Sequence, residues 1–319
     1  MVVSALPPDD RRALSASTEL ATSPAAAPPV PLQLARTLAE AGRGTMVHVD
    51  SNGQVRSPMR YHVLTGIAYG TSLGIALVGA TLYTTIFGPL WGMLAGLAFG
   101  AAFLIGTSRR RRLVRIAALI SDGRLDEAEQ HCRRVLDGRW MPRAQRATAH
   151  HNLAMIEARR GRFEAALEEV RAAIRLCHKA LGKNLQETLL AYAEINILVN
   201  LGRVGEARGR LISRGAVPEG DYLRLVHWSA DLAVQFGEGR ATIAEDDLWS
   251  RSRAVLGLAG ASNLLALCAW AYALHGDDAM SDHLLTEAVD RAAPESTSTF
   301  PSLWTWVEGR RPRLEAPAD

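Results

Sequence analysis

The feature that most constrains this chain is a run of 46 residues, from position 63 to position 108, without Asp, Glu, Lys, Arg or His. One helix of that length would extend about 69 Å, whereas the hydrocarbon core of a bilayer is about 30 Å thick. Gly88-Pro89 interrupts the run, and proline cannot continue a helix interior. A hairpin buried in a soluble core rarely needs so long an uncharged run. The sequence therefore predicts a transmembrane hairpin over residues 62–108, with helices at about 62–86 and 89–107.

Glycine recurs at every fourth position in both predicted transmembrane helices, which places each set on one helical face. Missing side chains let two helix backbones approach closely in a membrane. The two helices can pack on each other through these faces, or the faces can assemble several chains into a homo-oligomer, and both interpretations stay open. The span has no ionisable residue to mark an ion path, which disfavours a pore. These helix-packing residues are Gly66, Gly70, Gly74, Gly92, Gly96 and Gly100.

Basic residues flank the uncharged run and predict its orientation. Arg56 and Arg60 precede the first helix, a run of arginines follows the second, and the bend between them is uncharged. Because excess Lys and Arg mark the cytoplasmic side, we expect a two-pass integral membrane protein with both termini in the cytoplasm. The scarcity of lysine among the 36 basic residues indicates a bacterial inner membrane. These arginines are predicted to orient the span and to contact anionic lipid, with an attraction of about 1 kcal/mol each. They are Arg109, Arg110, Arg111 and Arg112.

The net charge of +3 comes from this arginine run rather than from the domain that follows it. Residues 116–319 contain 25 basic and 28 acidic side chains. A nucleic-acid-binding domain needs a basic face, so no nucleic-acid partner is expected.

Residues 1–61 are predicted to be a disordered leader or linker on the cytoplasmic side. Their first half is rich in Ala, Pro and Ser ("ATSPAAAPPVP") and cannot bury enough apolar surface to fold alone. Alternation in "MVHVDSNGQVR" around Asn52-Gly53 is a hairpin signal.

A repeated pattern follows the membrane segment. Three stretches ("ISDGRLDEAEQHCRRVL", "EARRGRFEAALEEVRAAI" and "LVNLGRVGEARGRLI") share a glycine, an apolar residue two positions later and an alanine five positions later. A fourth copy surrounds Gly276, with Ser281 in the alanine place. Glycine ends a first helix in the left-handed conformation, and alanine lets a second helix cross it closely. The residues of the first three copies are Gly123, Leu125 and Ala128; Gly161, Phe163 and Ala166; and Gly202, Val204 and Ala207.

This pattern resembles the tetratricopeptide repeat family, in which each repeat is a helical hairpin of about 34 residues. In residues 147–180, Leu153-Ala154 and the Ala166-x3-Val170 spacing match the family pattern, and Cys268-Ala269-x2-Tyr272 matches it in the last copy. The first three glycines lie 38 and 41 residues apart. Residues 215–258 fit the pattern poorly, so the sequence does not decide whether they form a further hairpin. The resemblance implies an all-α fold: a solenoid of about four hairpins over residues 109–296, with a C-terminal cap and tail over 297–319. Trp304 and Trp306 are the expected cap residues.

First helices of such hairpins line the inner side of the stack. Amides and an arginine at four-residue spacing there suit the main-chain and carboxylate groups of a peptide, although such a stripe can also be a merely solvated face. Similar stripes bind peptides across the tetratricopeptide repeat family, so the resemblance implies a protein or peptide partner. The predicted groove residues are His151, Asn152, Met155 and Arg159 in the second repeat, and Tyr192, Asn196 and Asn200 in the third.

Nothing in the sequence argues for catalysis, a metal or a cofactor. Nucleotide-binding, metalloprotease and serine-hydrolase motifs are absent from it. The pairs His131-Cys132 and Cys177-His178 are too far apart for a local zinc site, and the three cysteines suit buried thiols. The sequence thus predicts a non-enzymatic, membrane-anchored scaffold that binds a partner at the cytoplasmic membrane face. The alternatives are a regulatory subunit of a membrane channel or transport assembly built through the glycine-rich helices, and an enzyme of unrecognised type.

Overall fold

The computed structural model describes residues 112–139, 141–177, 185–218, 221–256, 261–292 and 294–314, the pairs 48–49 and 55–56, and the single residues 78, 81, 97 and 108. Apart from those single residues, the predicted membrane hairpin lies outside the described part of the chain. No helix within the described residues is long and apolar enough to cross a bilayer. From residue 112 onward the described chain is almost entirely helical, which confirms the all-α class for that part.

Two short strands precede the helices. β1 (His48–Val49) pairs antiparallel with β2 (Val55–Arg56), with His48 opposite Arg56 and Val49 opposite Val55. The register is centred on position 52, so the pairing confirms the hairpin predicted from Asn52-Gly53.

From residue 112 onward, the described residues form twelve helices. The first ten pair into five hairpins in chain order, and the last two complete the C-terminal end. They are α1 (112–121), α2 (Leu125–Leu136), α3 (Arg143–Arg159), α4 (Phe163–Cys177), α5 (Leu185–Asn200), α6 (Val204–Ser213), α7 (Asp221–Gly237), α8 (Glu245–Leu256), α9 (Ser262–His275), α10 (Asp278–Asp290), α11 (Pro294–Thr299) and α12 (Pro301–Leu314).

Each hairpin turns at a glycine with positive φ. The glycine N–H donates to the carbonyl three residues earlier, and the next N–H donates to the carbonyl five residues earlier, at N···O distances of 2.9 to 3.3 Å. These two bonds satisfy the last carbonyls of the first helix, in the pattern that requires a left-handed residue. The five glycines are Gly123, Gly161, Gly202, Gly239 and Gly276, with φ between 68° and 83°.

Small residues lie where the two helices of a hairpin cross. Ala128, Ala166 and Ala207 are fully buried, and Ser281 is fully buried in the corresponding place of the last hairpin. Full burial at these positions agrees with the close helix packing that the repeated alanine predicts, because a larger side chain would push the helices apart.

The hairpin α7–α8, within the poorly fitting residues 215–258, has a longer connection. Its second helix begins six residues after Gly239, whereas α2, α4 and α6 begin two residues after their glycines. The side-chain oxygen of Gln235 accepts hydrogen bonds from the backbone N–H of Thr242 at 2.7 Å and of Ile243 at 3.2 Å, which holds the connection. Fully buried Leu248 occupies the alanine place. Accordingly, α7 and α8 make few close contacts with each other, and α8 packs mainly on α9.

The hairpins stack in chain order and share their cores. α3 packs on α2, α4 on α5, α5 on α7, and α7 on α9, so that each hairpin contacts the next. One continuous core extends from Ala154 to Val307, and a second cluster joins α1, α2 and α3. α12 packs against α9 and α10 and buries Trp304 at the end of the stack, where the cap was expected.

Candidate functional site

Four first helices share one surface of the stack, and the C-terminal residues 297–300 lie on it. α11 runs beside α3, Thr299 contacts α5 and α9, and Phe300 contacts α7. We call this surface the inner face and residues 297–300 the C-terminal strap. The inner face is the side on which the groove was predicted.

The α3 residues of the predicted groove divide by exposure. Met155 is 36% exposed, and His151 is half-buried with Nδ1 making no hydrogen bond to a described residue. Burial lowers the pKa of His151 to about 4, so its ring is neutral at pH 7. Asn152 is buried, and Arg159 donates a hydrogen bond from Nη1 to the backbone carbonyl of Ile120 at the end of α1. Arg159 thus joins the first and second hairpins, and Asn152 offers little surface to a ligand.

Tyr192, the first predicted groove residue on α5, is buried between α5 and α7. Its hydroxyl lies 3.1 Å from Nδ1 of His227, and the two rings meet edge to face at a centroid distance of 5.7 Å. Burial lowers the pKa of His227, so the neutral ring can accept a hydrogen bond from the Tyr192 hydroxyl. Tyr192 therefore joins two repeats and is not accessible to a ligand.

Asn196 and Asn200, the other two α5 residues, present their amides on the inner face. Nδ2 of Asn200 donates to the backbone carbonyl of Asn196 at 2.9 Å and to that of Thr299 at 3.2 Å. The buried Oδ1 atoms of Asn196 and Asn200 have no hydrogen-bond partner among the described residues. The pair therefore holds a main-chain carbonyl already and has two acceptors left for N–H donors.

The C-terminal strap is the part of this site that sequence reasoning missed. Nδ2 of Asn263 on α9 donates to Oγ1 of Thr299 at 3.1 Å. Phe300 is 6% exposed and meets Phe236 edge to face, with ring centroids 5.5 Å apart. One signal was present: Phe300 is a large apolar residue directly after the polar run "ESTST". Its seat lies on helices far earlier in the chain, which no local pattern indicates.

A basic cluster lies at the other end of the stack. Arg112, Arg115, His131 and Arg134 line a cleft of about 320 Å³ with Val135. The three arginines are exposed and form no ion pair with a described residue. Of the four arginines predicted to meet lipid, Arg112 lies in this cluster, and Arg109, Arg110 and Arg111 lie outside the described residues, as do the glycines of the predicted membrane helices.

The cysteines are buried and free. Burial raises the pKa of the Cys132 and Cys268 thiols to about 12, and it also raises the pKa of Cys177. High thiol pKa values make these side chains poor nucleophiles and poor metal ligands. Within the described part of the chain, no group of three or more His, Cys, Asp or Glu residues is arranged to hold a metal ion.

The fold and the inner face define an all-α protein with a repeat-like architecture of stacked helical hairpins. Searches of protein-family models, curated proteins and solved structures find no match to the chain.

Proposed function

We propose that this chain is a membrane-anchored scaffold of the tetratricopeptide-like class, which binds a protein or peptide partner on its inner face at the cytoplasmic membrane surface. The observation that carries the proposal is the hydrogen bond from Asn200 to the main-chain carbonyl of Thr299. A side-chain amide on a first helix there holds the main-chain carbonyl of the last residue of α11, and the same amide can hold the carbonyl of a bound peptide.

Two further features support the binding role. Met155 exposes an adaptable apolar side chain on α3 beside the neutral ring of His151. The free acceptors of Asn196 and Asn200 match the N–H groups of an incoming main chain. An inner face with apolar, donor and acceptor groups in one stripe fits a peptide better than a small ion.

The uncharged run of residues 63–108 and the basic cluster that follows it support a membrane anchor. The basic cluster lies on α1 and α2, where the chain leaves the predicted span. Exposed arginines beside a bilayer attract anionic headgroups at about 1 kcal/mol each. We therefore place the α1–α2 end of the stack against the membrane and the α9–α12 end away from it.

The experiment that tests the scaffold is affinity capture by the full-length protein in its own membrane, beside the isolated 109–319 fragment. We expect both forms to recover the same partner, and the double substitution Asn196→Ala with Asn200→Ala to reduce recovery at least about fivefold. The matched control is Gln130→Ala, which removes an amide from the exposed side of α2. Partners recovered by the full-length form alone, and unaffected by the asparagine substitutions, would instead favour an assembly built through the glycine-rich helices.

A further inference from the structure

Residues 297–300 lie on the inner face and make contacts there that a bound peptide could also make. The strap consists of the last three residues of α11 and Phe300. It reaches α5, α7 and α9 through separate contacts, and α11 itself lies beside α3. A segment needed only to join α10 to α12 has no reason to touch four first helices. Its contacts show which chemical groups the inner face can hold.

The side-chain amides of Asn200 and Asn263 hold Thr299, and we call this pair the clamp. The orientation of the Asn263 amide is fixed by its other partner. Nε1 of Trp304 can only donate, and it donates to Oδ1 of Asn263 at 2.8 Å. The amide nitrogen of Asn263 therefore faces Thr299 and donates to its Oγ1. With Asn200 on the Thr299 carbonyl, two amides hold one residue by its hydroxyl and its main chain. This position selects a threonine or serine.

An aromatic seat follows one residue later. Phe300 packs its ring edge to face with Phe236, and Phe236 packs in the same way with Trp270, with ring centroids 5.5 and 5.3 Å apart. Such pairs add to the burial of the ring itself. The position after the hydroxyl residue therefore selects a large aromatic side chain.

The strap does not satisfy every polar atom of the inner face. The Oδ1 atoms of Asn196 and Asn200 are buried on the inner face without a hydrogen-bond partner among the described residues. A longer segment that also supplies backbone N–H groups to these oxygens would gain hydrogen bonds that the strap lacks. A segment that supplied these N–H groups would therefore bind the inner face more completely than the strap does.

We propose that the C-terminal strap is an intramolecular ligand, and that the partner displaces it with a segment carrying Ser or Thr followed by Phe, Tyr or Trp. This inference rests on the proposed peptide-binding function and names its ligand class. Tethering keeps the strap at an effective concentration near the millimolar range, so the strap holds the face closed against weak ligands.

The test uses the full-length protein in detergent micelles and a fluorescent peptide of residues 294–302 (PESTSTFPS), with binding measured by anisotropy. Substituting Phe300→Ala empties the aromatic seat, and we expect the peptide to bind this variant at least about tenfold more tightly than the unsubstituted protein. Phe300→Met, which keeps most of the buried volume, should give an intermediate affinity and decides the test if Phe300→Ala does not fold. The control peptide, with alanine in place of its phenylalanine, should bind none of the three proteins.

Equal affinity for all three proteins, or no binding to either variant, would overturn the inference. Asn200→Ala combined with Phe300→Met should reduce peptide binding again, whereas Gln130→Ala in that background should not. The two proposals fail separately. Partner capture that depends on Asn196 and Asn200, without peptide binding to the Phe300 variants, leaves the scaffold standing and removes the strap as its ligand. Peptide binding without partner capture removes the scaffold and keeps the strap.

Discussion

Arg160, at the end of α3, reaches across to Glu129 on α2, with Nη1 2.6 Å from the carboxylate oxygen. Arg160 also pairs with Asp126 on α2, and each of the Arg160 and Glu129 side chains is about one-fifth exposed. Arg160 thus ties the first hairpin to the second through charge-assisted hydrogen bonds that are partly shielded from water.

We expect Arg160→Gln to lower the free energy of unfolding by about 1–3 kcal/mol, because it leaves the largely buried Glu129 carboxylate with a weaker partner. Arg133→Gln is the matched control: Arg133 bonds the same carboxylate at 2.6 Å but is 67% exposed, so its loss should cost about 0.5 kcal/mol or less. Urea denaturation followed by tryptophan fluorescence measures both. Equal losses for the two variants would contradict the role given to Arg160.

The same ion pair predicts a pH dependence. The hydrogen bond from Arg160, with that from Arg133, holds the pKa of Glu129 below its ordinary value of 4.5. The stabilisation is therefore fully present above pH 4.5 and is lost as the pH falls through the folded-state pKa. Because Arg160→Gln removes the largest cause of that shift, the difference in unfolding free energy between the two proteins should shrink between about pH 5 and pH 3. A difference that stays constant over this range would exclude the linkage.

The turn glycines should respond to alanine in the opposite way from a helical glycine. Gly202 has φ of 71°, so Gly202→Ala should cost about 1–2 kcal/mol even though nothing lies within 4 Å of an added Cβ. Gly209 lies inside α6, also with open space around an added Cβ, and Gly209→Ala should stabilise by about 0.5–1 kcal/mol. Thermal denaturation of the two variants separates backbone strain from the loss of flexibility, and destabilisation by both would contradict this account.

The glycine pattern shows how far local sequence determines this fold. Gly123, Gly161, Gly202 and Gly276 were recognised because one residue separates each glycine from the next helix, which keeps the apolar and alanine positions at constant offsets. Gly239 makes the same turn with the same two backbone bonds. It escaped recognition because the longer connection shifts those positions and the Gln235 side chain, not the repeat pattern, stabilises it.

The inner face was predictable in part. The four-residue spacing on α5 identified Asn196 and Asn200, but the same spacing also selected Tyr192, whose side chain turns into the contact between α5 and α7. Spacing specifies a helical face and does not say how deeply the neighbouring repeat covers it. The strap could not be predicted, because Asn200 and Thr299 are 99 residues apart in sequence.

The residue in the alanine place should fit the spacing of its own hairpin, so a smaller residue at Leu248 and a larger one at Ala166 should both destabilise the fold. Leu248 is fully buried in the place that alanine holds elsewhere, and we expect Leu248→Ala to cost about 2–5 kcal/mol because the separated helices leave a cavity. Ala166→Leu places the larger side chain at the close crossing of α3 and α4 and should cost about 1–3 kcal/mol through overpacking. Denaturant unfolding tests both, and a neutral Leu248→Ala would show that α7 and α8 can close to the spacing of the other hairpins.

His151 predicts a second pH dependence on the inner face, in a range above that of Glu129. Burial lowers its pKa from the ordinary 6.5 to about 4, so between these values the unfolded chain binds a proton that the folded chain does not. Stability should therefore fall with decreasing pH from about 6.5 to about 4, by up to about 1 kcal/mol per pH unit. His151→Gln, which cannot titrate there, should remove that slope while leaving stability near pH 7.5 within about 1 kcal/mol. The direct measurement is the chemical shift of the His151 ring against pH. A midpoint near pH 4 agrees with a neutral, desolvated ring beside Met155. A midpoint near pH 6.5 would mean that water reaches the ring. The inner face would then be more open than the contacts around α3 indicate.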